Sequence, residues 1–340
     1  MTYKGNSMFK GKFFVWLALI ILAVVPLFSG LYWQGILVLV CYYAYAAIAW
    51  NFICGYAGTM SLGHSVYMGI GGYISTIILE TKGVSPWIGM IVGAAVAMCL
   101  GVIISYPTFR LKGPYFTLSS IAIVELLGTF ISNTESLGPV PIKGGSGWSL
   151  SQTGNQAVMF EFSSKLSYFY IAFALMVIGL FVTYRMSESK LGYYLVAIRS
   201  DDDAAKSLGI NVTKYKLIAM AISCFMISIA GTFYAQYFRY IGPDRIFSYD
   251  LSVQVALIAL IGGQGTVMGP IIGAIILVPL SEMLSAKFAG QMSGLNLFLY
   301  GVVMMLVVYF MPHGFGEHVV SILQKAEEKI FGKIKRKAKD

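Results

Sequence analysis

Long apolar runs separated by short polar stretches fill this chain from end to end. A helix crossing a bilayer needs about 20 consecutive apolar residues, and the runs predict ten such spans. These are Phe13–Gly30, Trp33–Ile53, Leu62–Leu79, Trp87–Tyr106, Tyr115–Ser132, Leu166–Tyr184, Leu217–Phe238, Leu251–Ile261, Pro270–Leu284 and Leu295–Met311. The eighth and ninth are short and separated only by a glycine-rich turn, which predicts broken or re-entrant elements. The expected fold is an all-α polytopic transmembrane helix bundle. Residues 1–12 read as an N-terminal segment, 13–322 as the membrane domain with a polar loop at 185–216, and 323–340 as a basic tail. The first run follows Lys4, Lys10 and Lys12 and has the look of a signal peptide. No small-residue cleavage site follows it, and it is read as a retained helix.

Composition agrees with the pattern. Of the 340 residues 57% are hydrophobic and only 11% charged, against about 25% charged in a soluble domain. The 37 glycines suit helices that approach closely. The net charge of +9 sits in short loops and tails, which argues for membrane topology rather than nucleic-acid binding. Threading ten spans with the N-terminus inside leaves 18 of the 24 Lys and Arg residues on the cytoplasmic side, so both ends are expected there. The basic amphipathic tail is expected to lie on the anionic inner surface of the bilayer. Cys41, Cys54, Cys99 and Cys224 fall in or beside apolar runs without metal-ligand or disulfide spacing, and read as small buried hydrophobes.

Charges deep in a bilayer are costly and usually functional. Glu125, near the middle of the fifth span, is the clear case. It is a candidate to line a polar path, to carry a proton, or to bond a neighbouring backbone. His64 lies at the cytoplasmic start of the third span, where water is expected to reach it; Glu80 and Glu282 fall at span ends and are expected to be solvated. The chain carries no His-Glu-x-x-His, no Gly-x-Ser-x-Gly and no Gly-x-x-x-x-Gly-Lys-Ser/Thr loop. No catalytic set and no metal site is expected, and any nucleotide energy must come from another subunit.

Two glycine-rich patches interrupt the apolar pattern. One contains Gly55, Gly58, Ser61, Gly63 and His64; the other contains Gly262, Gly263, Gln264, Gly265, Thr266, Gly269, Pro270 and Gly273. Glycine mixed with Ser, Thr, Gln and His suits a helix break lining a wet cavity. Gly265, Gly269 and Gly273 recur every four residues, which suits instead one close-packing helix face. An inverted repeat of five plus five spans would place the patches at corresponding positions, and they are not. The segment from Asn133 to Lys165 is expected to be an outside loop, a lid or a docking surface.

The polar loop carries a short helix signal. Asp201 and Asp202 suit a helix start, where carboxylates cap free amides and favour the positive dipole end. Gly209 suits the stop, and Ala204, Ala205 and Leu208 are expected to form a small apolar face. So short a helix is marginal alone in water. It needs a surface, either its own bundle or a soluble partner.

The chain resembles, over nearly its whole length, the membrane permeases of branched-chain amino-acid ABC importers. The resemblance rests on Gly55–His64, on Leu111-Lys-Gly-Pro-Tyr115-Phe-Thr117-Leu118, on Ala197–Asn211 and on Gly262–Pro270, with a similar Pro312-His-Gly-Phe-Gly316 ending. It departs in one place, where Asp201-Asp202-Asp203 stands for the usual Glu-Asn-Glu. The resemblance implies a type II ABC importer-like bundle in the bacterial cytoplasmic membrane. It implies pairing with a second, related permease, two cytoplasmic ATPases that bind ATP and Mg, and an extracytoplasmic solute-binding protein; this chain itself holds no cofactor. Arg199, Asp201, Asp202, Asp203, Ala204, Ala205, Leu208 and Gly209 would then couple to the ATPase. Ser61, His64, Tyr115, Thr117, Glu125, Gln264 and Thr266 are candidates for the translocation path. Related folds moving urea or sugars stay open as alternatives, as does an ion-coupled carrier working alone.

Overall fold

The computed structural model describes residues 12–111, 113–150 and 157–288, with isolated helical positions at 298, 301, 302, 305 and 309. The tenth span, the Pro312–Gly316 ending and the basic tail lie outside the described residues, apart from those isolated positions. The first nine spans are all helical. They are α1 (Lys12–Phe28), α2 (Leu31–Asn51, continued by a π-helical turn Phe52–Tyr56), α3 (His64–Lys82), α4 (Pro86–Thr108), α5 (Pro114–Ser132) and α6 (Lys165–Ser187). Two short helices follow, α7 (Lys190–Ser200) and α8 (Asp202–Ser207), and then α9 (Val212–Phe238), α10 (Pro243–Ile246), α11 (Tyr249–Gly263) and α12 (Gly269–Phe288). Among the described residues, seven helical stretches are long and apolar enough to cross a membrane.

Helix α2 is the axis of the bundle. Its run from Val38 to Tyr56 is buried almost throughout, because α6, α9, α11 and α12 all pack on it. Helices α3, α4 and α9 form a second tight group joined to the first through α9 and α2. Small residues make these crossings close. A Cβ at Gly231 of α9 would land on the Met68 carbonyl of α3, and one at Gly71 of α3 would land on Ser228 of α9. With lipid as apolar as the side chains, such backbone proximity is the main source of helix association. Helix α5 stands apart. Only Phe116, Ser120 and Val124 are buried along it, while Tyr115, Leu118, Glu125, Leu126 and Phe130 face outward.

The loop after α2 does not leave the bundle at the helix end. It turns back along α2, so that Trp50 Nε1 donates to Ser61 O at 2.8 Å and Ser61 N–H donates to Cys54 Sγ at 3.2 Å. Helix α3 therefore starts level with Ala49 and Trp50, about 10 Å inside the end of the π turn at 1.5 Å per residue. Two serines from other helices satisfy the start of this recessed segment. Ser252 of α11 accepts from Ser65 N–H at 3.0 Å, and Ser120 of α5 accepts from Leu62 N–H at 2.9 Å. Burial of His64 follows, correcting the expectation that water reaches it: the ring is 1% exposed, with Nε2 2.9 Å from Ser223 Oγ. Glu80 and Glu282, expected to be solvated, are half-buried.

At the opposite end the long loop folds onto the helices. Strands β1 (Ser136–Leu137) and β2 (Val140–Pro141) form a small hairpin, and β3 (Trp148–Ser149) pairs antiparallel with β4 (Tyr240–Ile241) after α9. Trp87 stacks on Phe160 with ring centres 4.4 Å apart, and Arg239 pairs with buried Glu161 at 3.5 Å. Cys41, Cys54 and Cys224 are buried as expected, whereas Cys99 is exposed on α4.

A side chain at the α3–α9 crossing has nowhere to go, since the obstructing atoms are backbone. Gly231→Leu should cost about 1–3 kcal/mol or more and lower the melting temperature of the detergent-purified protein. Gly30→Ala, at a position with nothing within 4 Å, should leave it unchanged. A Gly231→Leu protein that melts with the wild type would refute the close crossing.

Candidate functional site

The polar loop builds a bracket on one end of the bundle. Ser189 opens α7 as its N-cap, accepting from Gly192 N–H at 3.5 Å. The helix stops at Asp201, which turns to extended backbone at φ −163° and ψ 115°. Released from the helix, the Asp201 carboxylate accepts from Asp203 N–H at 2.8 Å and Ala204 N–H at 2.9 Å, capping α8. Gly209, at φ 82°, ends α8 in the left-handed conformation that glycine adopts without a Cβ penalty. One acidic residue as cap and one glycine as stop thus set the two ends of a six-residue helix.

The three carboxylates have separate jobs. Asp202 pairs with Lys216 of α9 at 2.6 Å, with the lysine side chain only 12% exposed, and so ties α8 to the bundle. Asp203 pairs with Lys206 one turn along at 3.1 Å, a surface contact contributing about 0.3–0.5 kcal/mol. The expected apolar face of Ala204, Ala205 and Leu208 is split. Ala205 is buried with Ile198 and Val212, while Ala204 and Leu208 point outward, Leu208 at 80% exposure. Ala205 takes the side packed against Ile198 and Val212, while Leu208 lies beyond the last helical residue, Ser207, as the C-cap of α8. The bracket presents an apolar residue to whatever lies beyond.

Arg199 is itself exposed, yet its guanidinium turns back onto the bundle. It lies in the last turn of α7, and its Nη1 donates to Gly55 O at 2.7 Å in the π turn of α2. A Cβ at Gly58 would meet Arg199 Cγ at 2.8 Å, and one at Gly265 would meet its guanidinium. The two glycine patches, some two hundred residues apart in sequence, therefore meet at this arginine. Asn51 locks them together. Its Oδ1 accepts from Gly265 N–H and its Nδ2 donates to Thr266 O, both at 2.8 Å. Gln264 Nε2 adds a 2.6 Å bond to Cys54 O.

Most of the polar path candidates are occupied by this architecture. Ser61 is buried and accepts from Gly63 N–H through Oγ at 3.3 Å. Thr117 donates to Met60 O at 2.8 Å. Thr266 donates to Gly263 O and accepts from Gly269 N–H, closing the turn into α12. Tyr115 and Glu125 alone among the seven face away from the chain's own helices, on α5. The glycine reading also divides. Gly262, Gly269 and Gly273 make the close α11–α12 approach, where a Cβ at Gly273 would meet Ile258 O. Gly265, at φ 76°, belongs to the turn and not to a helix face with Gly269 and Gly273. Gly63 precedes α3, where a Cβ would meet Ser120 O at 3.0 Å, and Pro270 and Gly263 are buried at the turn.

Sequence reasoning missed Asn51 and Asp250. Asn51 was hidden as the lone amide at the end of an apolar span, and its position four residues before Gly55 was the available signal. Asp250 is exposed in the first turn of α11, which begins beside the middle of α3, where Phe247 packs 5.6 Å from the Tyr73 ring. It is a second exposed carboxylate, on a helix that packs on α5. The serine-lined cavity between α3, α4 and α5, with Ser61, Ser105, Ser119 and Ser120, has a volume of about 10 Å³, room for about one water. That cavity cannot pass a solute.

Comparison with known proteins places this architecture. The chain is 26% identical over 328 residues to the high-affinity branched-chain amino acid transport system permease protein LivM of Escherichia coli, covering 91% of this chain and 76% of that one. It is 24% identical over 287 residues to the permease protein LivH of the same-named system in Salmonella typhimurium, covering 80% and 90%. A stretch of 106 residues is 32% identical to the ribose import permease protein RbsC of Haemophilus influenzae, covering 30% and 33%. No solved structure matches. The sequence profile of the branched-chain amino acid transport system permease component matches residues 32–308, and the chain, a multi-pass membrane protein, belongs to that family.

Proposed function

We propose that this chain is a permease subunit of an ATP-driven importer that moves branched-chain amino acids across a bacterial cytoplasmic membrane. The observation that carries the reading is the braced outward bracket α7–α8. A leucine at 80% exposure on a helix tied back by Asp202–Lys216 is an apolar contact held rigidly in water, which is what a driving partner needs to push on. The partner would be one of two cytoplasmic ATPases that hold ATP and Mg, with both termini of this chain on the same side as the bracket. The family membership supports the cargo.

The passage would not run through this chain alone. The face of α5 that carries Tyr115, Leu118, Glu125 and Leu126 is left uncovered by the chain's other described helices, and a carboxylate facing lipid at mid-span is costly. A second, related permease set against that face would enclose Glu125 in a shared path. A soluble binding protein outside would supply affinity, so the path need not hold substrate tightly. The similarity of one stretch to a ribose permease makes a sugar the second cargo to test.

Three results are expected. In whole-cell uptake, labelled leucine should be taken up in an ATP-dependent way, with urea and ribose competing poorly; preferential ribose or urea uptake would overturn the cargo. Depleting ATP while a proton gradient is kept should stop uptake, and Glu125→Gln should lower it without abolishing it. Uptake that survives ATP depletion and vanishes in Glu125→Gln would instead identify an ion-coupled carrier. Leu208→Asp should strip the ATPase from the purified complex, whereas Asp201→Ala, which removes a cap worth about 0.5–2 kcal/mol, should weaken that association only in part. Full retention of the ATPase by Leu208→Asp would sink the docking assignment.

A further inference from the structure

Arg199 occupies a slot made by absent side chains. Three glycines line it, Gly55 and Gly58 from the segment after α2 and Gly265 from the turn between α11 and α12. Each would collide with a neighbour if it carried a Cβ: Gly58 and Gly265 with Arg199 itself, Gly55 with Asn51 and with Gly265 N at 2.7 Å. The arginine backbone is one residue from the hinge at Asp201, where α7 ends and α8 begins. Its head donates to Gly55 O at 2.7 Å. On the far side of the slot, Asn51 and Gln264 bind the end of α2 to the α11–α12 turn through three hydrogen bonds of 2.6–2.8 Å. Helix α7 also packs directly on the π turn.

These contacts define two bodies and one connector. The first body is the bracket, α7 with α8. The second is the inner end of α2 fused to the ends of α11 and α12. A cation donating to a carbonyl makes a strong, directional contact, and the planar guanidinium fills a slot that a lysine ammonium would leave empty. We infer that Arg199 is a positioning residue that carries displacement of α8 into the joined glycine segments, so that α2, α11 and α12 answer the partner as one unit. The inference rests on the reading of α8 as the ATPase contact. Movement of α11 matters to transport because α11 packs on α5, the helix that carries the uncovered face.

The test uses the complete complex purified with its ATPase, in a Cys99→Ser background so that the exposed native thiol takes no label. Spin labels are placed at Tyr193 of α7 and Met60 of the first glycine segment, both exposed, with a third pairing to Lys82 at the opposite end as reference. In the wild type, both labels should move relative to Lys82 between nucleotide-free and ATP-trapped states while the Tyr193–Met60 separation stays fixed. In Arg199→Ala that separation should change between states, ATP hydrolysis should persist, and leucine moved per ATP should fall by about tenfold, the scale of one lost charge-assisted bond. Arg199→Lys should lie between. If the wild-type Tyr193–Met60 separation itself shifts with nucleotide, or if Arg199→Ala transports at the wild-type ratio, the connector is refuted while the importer reading stands. If no label moves relative to Lys82 on adding ATP, the importer reading falls and takes the connector with it. The wild-type measurement decides the matter even where Arg199→Ala fails to assemble.

Discussion

Asn51 spends both atoms of one amide on a distant turn. Its oxygen takes the Gly265 amide and its nitrogen gives to the Thr266 carbonyl, in a place that no bulk water solvates. A buried amide left unpaired costs about 1–3 kcal/mol, so the end of α2 and the α11–α12 turn are held in one relation. Around that lock the glycines follow: Gly55 leaves room for the Asn51 carboxamide, Gly265 for the approach of its own backbone to Gly55 O, and Gly58 for Arg199. Gly262, Gly269 and Gly273 bring α11 and α12 close, and the rest of the two patches meets at Asn51 and Arg199. The patches are the two halves of a joint.

The same economy shapes the recessed start of α3. By folding back along α2, residues 57–63 carry Ser61 and Gly63 to buried positions while Gly58 and Met60 stay exposed. Ser120, Ser252 and the Cys54 sulfur meet amides that would otherwise be orphaned. His64 is part of this arrangement through Ser223, whose hydroxyl in turn donates to Ala49 O at 2.6 Å. Ser61 and His64, candidates for the path, are here part of the recessed start of α3.

What remains uncommitted within this chain is its outside. The bracket leaves Leu208 in water, and α5 leaves Tyr115 and Glu125 away from its own neighbours. The Arg199 contact ties the first of these surfaces to the end of α2 and the α11–α12 turn.

Hydrophobic periodicity and length were enough to determine the helical, multi-pass class, because a bilayer demands long apolar helices whatever surrounds them; nine of the ten predicted runs are helical, and seven helical stretches among the described residues are long and apolar enough to cross. Capping chemistry was enough to locate α8, since Asp201 and Gly209 act on backbone within a few residues of themselves. Tertiary structure alone decided which side of each element is used. His64 went inside because the chain reversed along α2, Glu125 went outside because nothing in the described chain covers α5, and Ala205 parted from Leu208 because Ile198 and Val212 cover the one while the other follows the last residue of α8. Arg199 and Asn51 gained their roles from partners some 144 and 215 residues away, and contacts at that range leave no local signature in a sequence.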